Sequence, residues 1–221
     1  MSRFAIFVLV WTTFQGACLF LSGGTIHWPV GWGYLSVSLA FTIVAFGILD
    51  PELIQDRLRR HSGVKRWDPP LAAVGFLFLC PVTLVVAGFD AKRFSWSPLI
   101  PLWVEIATLA VFVLGYGFAL WAMKTNRFFV KFVRIQAERG HHVINSGPYA
   151  YIRHPGYAGA ILGHLALPIG LGSLWGLAPA CLGAILFIVR TWLEDRTLQA
   201  ELTGYSEYSE QVRWRLVPGI W

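Results

Sequence analysis

Four stretches of this chain, Phe4–Leu21, Gly31–Leu49, Leu71–Phe89 and Leu99–Met123, contain no lysine or arginine. A helix that crosses the hydrocarbon core of a bilayer needs about 20 consecutive apolar residues, with a range of about 17–25. Apolar runs of that length survive in lipid as helices, because each N–H and C=O must be satisfied within the segment. The first half of the chain is therefore expected to supply four membrane spans, the second entered through His27-Trp28-Pro29. Glu105 is the one carboxylate inside these runs, and it should face protein or the membrane interface. Arg3 ahead of the first run resembles the start of a signal peptide. No small-x-small cleavage pattern leads into a soluble chain and more spans follow at once, so a retained first span is expected.

Composition points the same way. Hydrophobic residues make up 56% of the chain and charged residues 14%, against about 25% in soluble domains. Eleven tryptophans and sixteen phenylalanines suit membrane interfaces. A net charge of +6 would raise nucleic-acid binding in a soluble protein. Here the basic residues flank apolar runs, so the bilayer is the expected partner and nucleic acid is not. Cys18, Cys80 and Cys181 all lie in apolar segments with no C-x-x-C pair, so neither a disulfide nor a metal site is expected.

After Met123 the character changes. Residues 124–154 are polar and carry Lys124, Arg127, Lys131, Arg134, Arg139 and Arg153. Apolar runs return at Tyr157–Leu171 and Leu174–Val189, separated by Gly170-Leu171-Gly172-Ser173. Each is short for a full crossing, so a tilted or partly submerged hairpin is expected. From Trp192 to Val212 the chain is amphipathic, with Leu198, Leu202, Tyr205 and Val212 at helix-like spacing. The expected fold is all-α: a polytopic helical membrane protein of about five to six transmembrane helices with a C-terminal amphipathic helix. Residues 1–123 form its four-span N-terminal region. Residues 124–221 are expected to form a second region of polar segment, re-entering hairpin and C-terminal helix, within one integrated domain. The stretch from Asp50 to Arg60 reads as a further amphipathic helix at the membrane surface.

Six crossings with the N-terminus inside place sixteen of the eighteen lysines and arginines on one face, leaving only Lys92 and Arg93 opposite. That asymmetry is what the positive-inside rule expects of the cytoplasmic side. It puts segments 124–154 and 190–221 on the same face, where they can build one site. A multi-pass protein of a bacterial inner membrane, its site towards the cytoplasm, is the expected setting; the oligomeric state is left open.

The stretch Gly147-Pro148-Tyr149-Ala150-Tyr151-Ile152-Arg153-His154-Pro155-Gly156-Tyr157-Ala158-Gly159 gathers residues that set backbone geometry and residues that donate hydrogen bonds or stack. By itself it also fits interface anchoring by Arg153 and Tyr157 with Pro155 opening a helix. Further on, Arg190 and Glu194 stand four residues apart and share a helix face, which alone would suggest a weak surface ion pair. Gly204-Tyr205, Tyr208 and the ending Arg215-Leu216-Val217-Pro218-Gly219-Ile220-Trp221 follow.

Taken in order, G-P-Y-x-x-x-R-H-P-x-Y-x-G, R-x-x-x-E-[ED]-x-x-L, G-Y-x-x-Y and R-L-x-P-x-x-W resemble the isoprenylcysteine carboxyl methyltransferase family, over roughly residues 124–221. The resemblance implies an S-adenosylmethionine-dependent membrane methyltransferase. Its cofactor contacts fall on Gln136, on His141, His142, Val143 and Ile144, on Tyr149, on His154, Pro155, Gly156 and Tyr157, and on Glu194. Its substrate-contacting arginine falls on Arg190. The paired acids, often Glu-Glu in the family, are Glu194-Asp195 here, which leaves the role of Asp195 open. No residue is assigned as acid or base, since a nucleophile that is already ionised needs none. The implied acceptor is lipophilic, most closely an isoprenylcysteine carboxylate, with phospholipids and small thiols as alternatives. Membrane sterol-type reductases that use NADPH carry a similar R-H-P-x-Y segment. They typically read Asn after the proline and Glu after the Tyr-x-Gly, where this chain has Gly156 and Ala160. A scaffold or small transporter is the non-enzymatic alternative. His164 on an apolar run reads as a packing histidine, and His27 with Trp28 as an interface anchor.

Overall fold

Proline opens several of the helices and glycine lets them touch. In a computed structural model, residues 3–49, 54 and 62–221 are described; the Asp50–Arg60 stretch read above as a surface helix lies almost wholly outside them. The described helices are α1 (Arg3–Gly23), α2 (Pro29–Ile48), α3 (Asp68–Phe94), α4 (Leu102–Thr125), α5 (Pro155–Gly170), α6 (Leu177–Glu201) and α7 (Tyr205–Gln211), with two single 3₁₀ turns at Ala137–Arg139 and Gly147–Ala150. Pro29 and Pro155 stand at the first helical positions, where a missing N–H costs nothing.

Five of these helices, α1, α2, α3, α4 and α6, are long and apolar enough to cross a membrane. Their outer faces carry large bare side chains, such as Leu21 (74% exposed), Trp103 (73%) and Leu114 (70%). Apolar surface on that scale is stable in lipid and not in water. The chain is an integral, multi-pass membrane protein.

α3 runs past its expected end at Phe89 and continues to Phe94. Within it, residues Phe78–Val82 widen into a π-turn around Pro81. Proline removes one helical N–H and crowds the preceding turn. Thr83 turns its hydroxyl back to the Phe78 carbonyl at 2.7 Å and satisfies the backbone that the turn leaves open.

α5 has 16 residues, a length of about 24 Å, and packs chiefly on α4. Close approach explains how. A Cβ on Gly159 would sit 2.3 Å from the Gly115 carbonyl oxygen and 2.8 Å from the Ala119 nitrogen. Gly115 and Ala119 on α4 therefore face Gly159 and Gly163 on α5 as two small-x-x-x-small pairs, the usual device for bringing membrane helices into backbone contact. Further along, Gly170 lies against Leu109 and Thr108, and Gly172 against Glu105 in the first turn of α4. The turn after α5 is tied there as well: Ser173 Oγ donates to Asp90 Oδ2 at 2.6 Å, and the Leu174 N–H to Ser97 Oγ at 2.9 Å. The hairpin thus extends to the bundle end opposite residues 124–154, rather than dipping in part-way.

The other difference lies in α6. The sequence shows an apolar run, Leu174–Val189, and then an amphipathic stretch, Trp192–Val212, as separate segments. Instead α6 continues through Arg190 to Glu201, and a turn at Gly204 (φ +83°) sets off the short α7. Arg190 does not end the helix because its charge is matched inside the fold by Asp68, and Thr191 returns its hydroxyl to the Phe187 carbonyl at 2.8 Å.

Candidate active site

Three elements meet at the end of the bundle where α3 starts and α4 stops: the 126–154 segment, the first turn of α5 and the last turns of α6. They enclose a narrow cleft with a cavity volume of ≈ 80 Å³, open at its mouth.

Glu194 and Tyr157 face each other across the cleft, with the Tyr157 hydroxyl donating to Glu194 Oε2 at 2.6 Å. Among the described residues no second partner is seen at Oε1, so this carboxylate retains acceptor capacity. One turn back along α6, Arg190 presents its guanidinium to the same cleft. It donates from Nε to Asp68 Oδ1 at 2.6 Å, and from Nη2 to Asp68 Oδ2 at 3.1 Å and the Lys131 carbonyl at 2.8 Å. The rings of Tyr157 and Phe187 lie 5.1 and 5.7 Å from its Cζ. Arg190 and Glu194 therefore each have their own partner rather than forming the weak surface pair that spacing alone suggested.

The opposite wall is the strip His141–Ile144, with Phe128 behind it. Phe128 stacks obliquely on His141 at 4.5 Å and meets His142 edge-on at 5.0 Å. His141 Nδ1 accepts the Gln136 N–H at 3.3 Å. Burial, with the charges of His142, Arg134 and Arg139 adding to it, lowers the His141 pKa to about 4. The ring is therefore neutral at physiological pH. Between the ordinary histidine pKa of about 6.5 and this value the unfolded chain binds more protons than the folded one, so stability falls as pH drops through that window. Thermal melts in detergent should show this loss between about pH 6.5 and 4, and His141→Gln should flatten it; a melt unchanged by the substitution would contradict the neutral, buried ring.

Tyr149 lies behind the strip. Its hydroxyl accepts from Asn126 Nδ2 at 3.3 Å and its carbonyl from the Tyr208 hydroxyl at 2.7 Å. Burial raises the pKa values of Tyr149, Tyr205 and Tyr208, so all three remain protonated donors. Gly156 packs edge-on to Phe129, where a Cβ would lie 2.5 Å from the ring.

Of the residues expected from the sequence, ten meet at this cleft: His141 to Ile144, Tyr149, His154, Gly156, Tyr157, Arg190 and Glu194. Pro155 is buried at the start of α5 and does not line the cleft. Gln136 is also set behind the wall: it is fully buried, donating from Nε2 to the Phe128 carbonyl at 2.7 Å and accepting from Arg139 Nη1 at 2.9 Å.

Beneath the cleft sits Asp195, fully buried. Arg153 bonds it side-on, from Nε at 2.8 Å and Nη2 at 3.0 Å; Arg215 Nε reaches it at 2.8 Å and the Tyr205 hydroxyl at 3.0 Å. His154 Nε2 lies 3.2 Å from Oδ1. Arg153 Nη1 also donates to the Val212 and Arg213 carbonyls at 2.7 and 3.0 Å, and the Arg153 and His154 N–H groups bond the Trp214 and Arg215 carbonyls. Arg153 is thus a clamp on the C-terminal strap and not an interface anchor. Tyr157, expected as an anchor on the same reading, is turned inward as well. His164 is the packing histidine expected, bonded to Tyr116 and to the Ala160 carbonyl.

Residues 107–200 match the family model described as the isoprenylcysteine carboxyl methyltransferase (ICMT) family. The matched stretch covers 94 of the chain's 221 residues and is similar to that family. It holds α5, most of α6 and nearly all the cleft-lining residues, while Asp68, Tyr205 and the clamped strap lie outside it. Among solved structures, the chain is similar to a eukaryotic intramembrane Ras methyltransferase, ICMT, with a TM-score of 0.59 and 23% identity, over 94% of this chain and 74% of that one. At that identity the likeness establishes an ICMT-like helical fold. No curated protein sequence matches the chain. Asp68 had escaped the sequence reading, because one acid before Pro69-Pro70 looks like an ordinary helix start. Among the described residues no group of three His, Cys, Asp or Glu is placed to hold a metal ion.

Proposed function

We propose that this chain is an integral membrane methyltransferase that uses S-adenosylmethionine and methylates the carboxylate of an isoprenylcysteine-type acceptor, from a cleft facing the cytoplasm. The observation that carries this reading is the pairing of Arg190 and Glu194 one helical turn apart in a single cleft, each held by a separate partner. One offers a cation for an anionic acceptor, the other a carboxylate for a cationic cofactor.

The residues present fit that cofactor. It carries a sulfonium, an ammonium and a ribose, and Glu194 has an oxygen available to accept hydrogen bonds and offset positive charge. The neutral His141 ring, backed by Phe128, offers a face and an N–H to an adenine. When bound, S-adenosylmethionine supplies an activated methyl group. The chain's own work is to orient and to exclude water. Arg190 holds a carboxylate by charge and hydrogen bonding. Tyr157 fixes Glu194. Phe129, Phe132 and Leu198 line the cleft with apolar surface suited to a prenyl chain. A carboxylate acceptor is already ionised at neutral pH, so no general base is needed.

Phospholipids and small thiols stand as alternative acceptors. The sterol-type reductase reading is disfavoured at one position: where those enzymes carry Asn, this chain has Gly156, and a side chain there would require the Phe129 ring to move.

Glu194→Gln should weaken binding of S-adenosylhomocysteine by about tenfold, the loss expected on neutralising one charged hydrogen-bonding partner. Equilibrium dialysis of the detergent-solubilised protein reads this directly. Unchanged affinity would remove Glu194 from the cofactor site.

A further inference from the structure

Asp68 is the buried acid that the proposed chemistry does not yet use. It stands at the first position of α3, in the N-terminal half of the chain, and is fully buried. A buried carboxylate is costly unless its charge and lone pairs are satisfied. Here they are: both oxygens take Arg190, and Oδ2 also accepts the Val133 N–H at 2.7 Å. The Lys65 N–H in turn donates to the Val133 carbonyl at 3.0 Å, so the turn before α3 clips onto the cleft wall on both sides of that residue.

This arrangement fixes the guanidinium on three sides. Asp68 holds the Nε–Nη2 edge, the Lys131 carbonyl holds Nη2 again, and the Tyr157 ring lies against the group's face. Among the described residues Nη1 has no hydrogen-bond partner and is the nitrogen left for a ligand in the cleft. Side-on pairing through one edge of a rigid fork is a property of arginine that lysine lacks.

We infer that Asp68 is a positioning residue for the reaction: it orients Arg190 so that Nη1 meets the acceptor's anionic group. The inference rests on the reading of Arg190 as the acceptor contact. It also makes the site a joint product of both halves of the chain, since Asp68 lies outside the family-matched residues 107–200. With Asp68 in place the arginine is charge-compensated before an anionic acceptor arrives and after a neutral ester leaves. A bracing residue that only joined α3 to α6 would change stability and leave the kinetics of the folded enzyme alone.

The test uses full-length protein in detergent, methyl-labelled S-adenosylmethionine and an S-prenylated N-acetylcysteine as acceptor. Asp68→Asn should raise the acceptor KM by about tenfold or more, lower kcat less, and leave S-adenosylhomocysteine affinity within about twofold. Asp68→Glu, which restores the carboxylate, should recover part of the KM. Arg190→Ala should raise KM similarly, and Asp68→Asn in that background should add less than about twofold, because the two act as one unit.

A wild-type KM in Asp68→Asn, or a penalty that adds in full to that of Arg190→Ala, overturns the proposal. If Asp68→Asn fails to bind the cofactor product, the charge-free pair Asp68→Asn with Arg190→Gln takes its place. That pair is expected to bind the product and to show the KM of Arg190→Ala; a wild-type KM there overturns the proposal. A wild-type KM in Arg190→Ala removes the acceptor role of Arg190 and this proposal with it. Wild-type protein that binds no S-adenosylhomocysteine overturns the methyl-transfer reading itself.

Discussion

Replacing Asp195 by Ala is expected to destabilise the protein by about 3–5 kcal/mol, the range for removing one partner of a buried ion pair. Two guanidiniums depend on this carboxylate. Arg153 is 5% exposed, and it would keep its carbonyl contacts but lose its counter-charge. Arg215 would lose its link from the strap to α6. The Tyr205 hydroxyl, held protonated by burial and by the carboxylate beside it, would lose its acceptor. The consequence should be local before it is global: the 205–221 strap, tied down through Arg153 and Asp195, should come loose from the floor of the cleft. Limited proteolysis should then cut Asp195→Ala between α6 and the C-terminus under conditions that leave wild type intact, with a lower melting temperature in detergent. Equal protease resistance and an equal melting temperature would contradict the hub role.

Gly159→Leu is expected to be comparably damaging for a different reason. A side chain at this position meets backbone and not a flexible neighbour: the Gly115 carbonyl oxygen would be 2.3 Å from the first added carbon. The helices must separate, and overpacking of this kind costs about 1–3 kcal/mol and often more when backbone cannot give way. Separation would also shift the first turn of α5, which carries Gly156 and Tyr157 at the cleft. Folded yield and S-adenosylhomocysteine binding should therefore fall together. Gly117→Leu, two residues from Gly115 on α4, is the control. Nothing lies within 4 Å of that position, so the change should be tolerated in lipid or detergent. Matching behaviour of the two variants would mean that close packing of α4 on α5 is not what holds the site.

Some of this architecture is legible in the sequence. Four lysine- and arginine-free runs announce α1 to α4, because lipid admits little else. The chemistry-bearing strip from Gly147 to Gly159 announces where a polar segment re-enters the bundle. The continuity of α6 was hidden: Arg190 closes an apolar run, and only a carboxylate 122 residues away in the chain lets the helix carry it inside. The division of labour between Glu194 and Asp195 was hidden for a similar reason. Adjacent residues on a helix point about 100° apart, so one faces the cleft and the other the interior. Which is which depends on Arg153, Tyr205 and Arg215, which arrive from other elements. The depth of α5 was concealed by its length. Sixteen residues look too few until the glycines that press it against α4 are counted as contacts. Gly115-x-x-x-Ala119 and Gly159-x-x-x-Gly163 were visible, but each pattern alone is common in apolar helices.

The most direct measurement is methyl transfer by the purified, detergent-solubilised protein from methyl-labelled S-adenosylmethionine to an S-prenylated N-acetylcysteine. Label should appear in a methyl ester that alkali releases as volatile methanol, with loss of signal in Glu194→Gln and Arg190→Ala. Absence of labelled ester, together with no binding of S-adenosylhomocysteine, would contradict the assignment of this cleft to methyl transfer.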